Sequence, residues 1–131
     1  MNVELLCLGW VVILGLVHII LASHVRTKEL GLKWNMSARD EAHPQLSLLA
    51  GRLARAQTNF FETFPLFAVA VLLASATQSF NQYTFWGTIV YAIARVVYLP
   101  LYAFGIPKLR SMVWVISIAG LLAVLLSSFT K

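Results

Sequence analysis

Three apolar runs, 5–22, 83–104 and 112–129, constrain this chain more than anything else in it. Each is close to the length that crosses a bilayer as a helix, on the order of 20 residues. A fourth run, 60–76, is shorter but extends backward through 46–56 as an amphipathic helical approach. Lipid offers backbone groups no hydrogen-bond partners, so such runs must be helices, and the alternation a membrane barrel requires is missing. The sequence therefore predicts an all-α integral membrane four-helix bundle, with helices at about 4–24, 46–76, 82–104 and 111–129 in a single domain over 1–131. Composition agrees. With 60% hydrophobic and 11% charged residues in 131 positions, the chain is too apolar for a soluble domain and too short for two domains.

The first run does not read as a cleaved signal. Its leading residues, Met1, Asn2, Val3 and Glu4, are acidic rather than basic, and no small-x-small cleavage pattern follows. The lone Cys7 excludes an internal disulfide and a cysteine-based metal site, and on an apolar helix it reads as a small hydrophobe. No metal-ligand spacing is present: His18 and His24 are not spaced as a pair, His43 stands alone in a loop, and all three read as packing or interfacial groups. Trp10, Trp34, Trp86 and Trp114 read as interfacial anchors.

The net charge of +5 marks topology rather than nucleic-acid binding. Arg26, Lys28, Lys33, Arg39, Arg52 and Arg55 cluster around the first loop, Lys108 and Arg110 stand in the third, and the middle loop 77–82 has no charge. Basic loops stay in the cytoplasm. Loops one and three are thus expected there, with both termini on the opposite side. Within the first loop, Gly31, Asn35, Met36, Ser37 and Pro44 interrupt any continuous helix, and Ser37 with Asp40 is placed to cap a new turn. Pro65 and Pro100 fall inside apolar helices, where each removes one helical hydrogen bond and either bends its helix or is simply tolerated.

Glu62 sits within an apolar run, where a carboxylate is costly and usually marks a polar site. Arg55, Asn59 and Glu62 follow the i, i+4, i+7 spacing of one helical face, and Tyr91, Arg95, Tyr98 and Tyr102 repeat such a face on the third helix. Seven helical residues, about 10 Å, separate Arg55 from Glu62 and also Tyr102 from Arg95. Glu62 and Arg95 are therefore expected at similar depth, as a buried ion pair or within one polar network. Toward the cytoplasm lie Arg52, Arg55, Gln57, Asn59, Tyr98, Tyr102 and Arg110. Guanidinium forks, amides and phenols together suit a small anionic peptide-like ligand. Arg52 alone reads better as a rim residue contacting lipid phosphates.

The segment Arg55-Ala56-Gln57-Thr58-Asn59-Phe60-Phe61-Glu62-Thr63-Phe64-Pro65, read as R-A-x-x-N-x-x-E-x-x-P, resembles the signature of the MAPEG family, the membrane-associated proteins in eicosanoid and glutathione metabolism. Ala94-Arg95-Val96-Val97-Tyr98, with Tyr102 and Arg110-Ser111, resembles that family's third helix and following loop, and the four-helix layout agrees from end to end. The likeness extends to the microsomal glutathione transferases and leukotriene synthases, and the stretch from Gly31 to Glu41 resembles bacterial members, implying a bacterial inner membrane. The resemblance implies a homotrimer that binds glutathione between neighbouring copies, in contact with membrane lipid and a lipophilic substrate. It implies that Arg55, Gln57, Asn59, Glu62, Tyr98 and Tyr102 hold glutathione and that Arg110, reached across a one-residue gap, stabilises its thiolate. Either Arg26 or Lys28 would assist. Thr63 stands where eicosanoid-synthase members carry a tyrosine, which favours a broader transferase or peroxidase over that specialised activity.

A free thiol, with a pKa of about 8.5, is only a few per cent ionised at neutral pH. A neighbouring arginine favours the anion, which then attacks a hydrophobic electrophile or peroxide dissolved in the membrane. Two other classes remain open: a small four-helix multidrug or cation transporter, which also uses one intramembrane carboxylate, and a non-catalytic helper of other membrane proteins, which fits if Thr63 marks lost glutathione binding. The transporter would want that carboxylate exposed and free of an arginine at matching depth.

Overall fold

The computed structural model describes residues 1–130, and all their regular structure is helical. The elements are α1 (Val3–Leu30), α2 (Leu32–Met36), α3 (Leu48–Ala76), α4 (Gln82–Ala103) and α5 (Pro107–Ser127). The four long helices α1, α3, α4 and α5 are each long and apolar enough to cross a membrane. Short connections at 77–81 and 104–106 force α3, α4 and α5 to run antiparallel to their chain neighbours. Two contacts tie α1 into the same up-and-down arrangement. Near one end the Thr84 hydroxyl donates to Glu4 Oε1 at 2.8 Å, and at the other the backbone N–H of Ser47 donates to Glu29 Oε1 at 2.8 Å.

Local chemistry sets the helix ends. The Ser47 hydroxyl accepts from Ala50 N–H at the start of α3, and Asn81 and Thr84 form a reciprocal capping box at the start of α4. α4 closes on Gly105, whose φ of +72° lets Gly105 N–H reach Tyr102 O and Ile106 N–H reach Leu101 O. A Cβ on Gly105 would lie 2.6 Å from Arg52 Cζ, so the arginine head would have to move aside for any side chain there. The Arg52 guanidinium thus rests on the C-terminal turn of α4, where carbonyl dipoles favour a cation.

Three local expectations change. α1 runs past the apolar boundary near residue 24 to Leu30, since nothing between His24 and Leu30 breaks a helix, and Gly31 with φ +92° stops it. Ser37 starts no helical turn: it ends the short α2, its hydroxyl donating to Trp34 O. α5 begins at Pro107, whose missing N–H is harmless in the first turn, so Arg110 lies on the helix rather than in the loop before it. Pro65 and Pro100 both lie on exposed faces, and α3 and α4 continue through them.

Packing is closest between α4 and α5. Gly87 and Gly120 face each other across that interface, and a Cβ on either would stand 2.7 Å from the other's carbonyl oxygen. Small residues supply this close approach in membranes, where helices gain nothing from excluding water. α1 contributes Val11, Leu14, Gly15, His18 and Ala22 to the interior, a spacing that describes one helical face.

Candidate functional site

One face of α4 carries Thr84, Thr88, Tyr91, Arg95 and Tyr98, all with no exposed surface. Tyr91, Arg95 and Tyr98 of the stripe expected on this helix lie inside the single chain, while Tyr102, its fourth member, is half-buried. Tyr91 shares a 2.9 Å hydrogen bond with Thr63 of α3 and stacks on Phe67 with ring centroids 4.0 Å apart. Thr63 is itself buried, so the hydroxyl at this departure from the family pattern is turned toward the protein interior.

The stripe on α3 divides. Arg55 and Glu62 are exposed, whereas Asn59 is half-buried against α4. Arg95 Nη1 donates to Asn59 Oδ1 at 3.0 Å, and this is the hydrogen bond that joins the two stripes. The expected ion pair between Glu62 and Arg95 is not formed. Asn59 takes the position nearest Arg95, and the Glu62 carboxylate points out of the chain, although it remains within Coulombic reach. Arg95 also lies 4.3 Å from the Tyr98 ring centroid and 5.6 Å from that of Phe60, distances at which a cation is held by aromatic faces. Its Nε and Nη2 are buried without partners.

A second cation completes the group. Arg110 Nη1 donates to the Tyr98 hydroxyl at 3.1 Å, and the guanidinium carbon stands 4.9 Å from the Tyr102 ring centroid. Arg110 and Tyr102 are both half-buried. Arg110 belongs to the first turn of α5, where free backbone N–H groups carry partial positive charge. Helix terminus and guanidinium together create an electropositive spot beside two phenols, where an anion can be held.

Among the other candidate residues, Gln57 is half-buried on α3. Arg26 is half-buried with its Nε enclosed, while Lys28 is exposed. His18, which the sequence marks only as a packing or interfacial group, is a core residue. It is 1% exposed, stacks on Phe60 with centroids 4.7 Å apart, and neither ring nitrogen has a partner. The signal in the sequence was a histidine inside an otherwise apolar run. Among the described residues no group of three or more His, Cys, Asp or Glu side chains is placed to hold a metal ion.

Four apolar spans with a cation–phenol cluster near one end of the bundle define a multi-pass integral membrane protein of all-α architecture. A family model described as "MAPEG family" matches residues 7–130. The chain belongs to the MAPEG family, whose members act in eicosanoid and glutathione metabolism. No curated protein and no solved structure matches it significantly.

Proposed function

We propose that the protein is a membrane-bound glutathione-dependent transferase or peroxidase acting on hydrophobic electrophiles. Arg110, seated on Tyr98 and Tyr102, is the observation that carries this reading. A guanidinium held by a phenol on one side and half open on the other is suited to a sulfur anion. Glutathione would be held by Arg55, Gln57, Asn59 and Glu62 of α3 and by Tyr98 and Tyr102 of α4. Its carboxylates suit Arg55, and its ammonium suits Glu62.

Arg55 and Glu62 point out of the single chain, so this set would close only against another copy, as the homotrimer of the family resemblance would allow. The positive-inside rule supports a cytoplasmic position for the Arg110 end. Lipophilic substrate would approach the sulfur from the bilayer.

One observation favours a second reading. Glu62 is exposed and forms no ion pair among the described residues, as a small cation transporter assembled from several copies would need. A ligand that binds the folded state raises its melting temperature, so thermal unfolding in detergent separates the two. Stabilisation by millimolar glutathione, followed by conjugation of glutathione to a reactive aryl halide, supports the enzyme. Stabilisation by lipophilic cations with none by glutathione supports the transporter.

A further inference from the structure

Arg95 is an unusual occupant for the middle of a membrane helix. It has no exposed surface, makes one side-chain hydrogen bond, forms no ion pair and leaves two nitrogens idle. A buried cation so sparsely satisfied does little for stability. Its value lies in what it orients.

We propose that Arg95 is a positioning residue that fixes the amide of Asn59 and thereby makes the outward side of Asn59 a donor. The reasoning rests on the inventory of hydrogen-bonding groups. A guanidinium has donors and no acceptor, so only the oxygen of the Asn59 amide can face it. The 3.0 Å contact between Arg95 Nη1 and Asn59 Oδ1 has this arrangement. The amide nitrogen must then point the other way. It makes no hydrogen bond among the described residues and is not among the enclosed unpartnered atoms, so it reaches the surface of this half-buried residue. There it lies on the same face of α3 as the exposed Arg55 and Glu62.

The outward edge of α3 consequently presents a cation at Arg55, a fixed N–H donor at Asn59 and a carboxylate at Glu62. Such an order selects a ligand with an acceptor, a peptide carbonyl or carboxylate, placed between an anionic and a cationic group. A freely flipping amide would accept either polarity and lose that selection. Arg95 also holds the Tyr98 ring by its face while Arg110 holds the same residue by its hydroxyl. One buried side chain thus aligns groups on both helices. This inference rests on the glutathione reading for the identity of the ligand but not for the orientation of Asn59.

Four variants test it, each measured by thermal unfolding in detergent with and without glutathione and by steady-state conjugation of an aryl halide. Asn59→Asp keeps an oxygen toward Arg95 and replaces the outward donor by an acceptor. It is expected to unfold at or above the wild-type temperature without glutathione and to lose the glutathione-induced shift. Asn59→Leu leaves Arg95 without a hydrogen-bond partner and is expected to unfold well below wild type. Arg95→Gln offers both donor and acceptor, so the Asn59 amide is free to flip. Its KM for glutathione is expected to rise about twofold, the factor for an amide that spends about half its time in the productive orientation, with kcat nearly unchanged. Arg95→Lys offers only donors and should stay close to the wild-type KM.

The proposal is overturned if Asn59→Asp is as unstable as Asn59→Leu, if it keeps the full glutathione shift, or if the Gln and Lys variants share one KM. Should wild type show no glutathione shift, the glutathione reading falls. The stability order of Asn59→Asp, wild type and Asn59→Leu then still decides the orientation.

Discussion

Thr63 of α3 and Tyr91 of α4 share a 2.9 Å hydrogen bond in the interior, beside the stacked rings of Tyr91 and Phe67. The threonine that departs from the family pattern is therefore a strut between helices. Thr63→Val keeps the shape and deprives the buried Tyr91 phenol of its partner. Hydrogen bonds between membrane helices average about 0.6 kcal/mol, and leaving a partner unsatisfied in the interior costs about 1–3 kcal/mol. A loss of about 1 kcal/mol is expected in reversible unfolding. Adding Tyr91→Phe should recover part of it, because removing both partners leaves nothing unsatisfied. Additive losses would show that the bond is not formed.

Gly87 and Gly120 support a second prediction, on packing alone. A methyl group at Gly120 would meet the Gly87 carbonyl oxygen at 2.7 Å and the Tyr91 backbone nitrogen at 3.0 Å, and backbone atoms cannot swing aside as a side chain does. Gly120→Ala should force α4 and α5 apart at a cost of about 1–3 kcal/mol. Gly87→Ala should cost a similar amount, since it meets the Gly120 oxygen at the same distance. Once the helices have separated, the second methyl finds room, so the double variant should lose less than the sum. Melting temperatures of the three variants decide this.

The membrane helices were legible because lipid leaves an apolar run few alternatives, whereas the packing face of α1 was not, because apolar residues surround that helix on every side. The polar pairing was legible only in part. Equal depth for Glu62 and Arg95 follows from counting residues along the helices, but depth says nothing of direction around an axis. Asn59 and Glu62 are three residues apart, about 60° around the helix. That is enough to turn one toward α4 and leave the other outside. The contact of Glu4 with Thr84 joins residues 80 apart in the chain and has no local signature. Arg110 was read as a loop residue because Lys108 and Arg110 interrupt the apolar pattern, although Pro107 marks the first turn of α5.

His18 lies against the same Phe60 ring that Arg95 approaches from α4, and neither of its nitrogens has a partner. Buried polar groups without hydrogen bonds destabilise the folded state. His18→Phe retains a flat ring for stacking on Phe60 and removes both unsatisfied atoms. The variant is expected to unfold at a temperature equal to or above wild type, with the glutathione-induced shift intact. A marked fall in stability would indicate that the imidazole has a partner in the assembled protein. Loss of the glutathione shift with stability preserved would bring His18 into the functional site.

Arg110 offers the sharpest test of the proposed chemistry, through pH. A guanidinium beside the sulfur favours the thiolate over the thiol, so it lowers the pH at which bound glutathione ionises. The rising limb of turnover against pH should therefore lie below the ordinary thiol value of about 8.5 in the wild type. In Arg110→Ala that limb should move up toward 8.5, and turnover at neutral pH should fall about tenfold for each pH unit of the displacement. Arg110 also donates to Tyr98, and Tyr98→Phe serves as the control for that bond. It should shift the limb only slightly, because the cation remains. Stopped-flow absorbance of the thiolate in the ultraviolet, recorded on bound glutathione without the second substrate, reads the ionisation directly. An unchanged thiolate fraction in Arg110→Ala would remove Arg110 from the chemistry, even if turnover fell for other reasons.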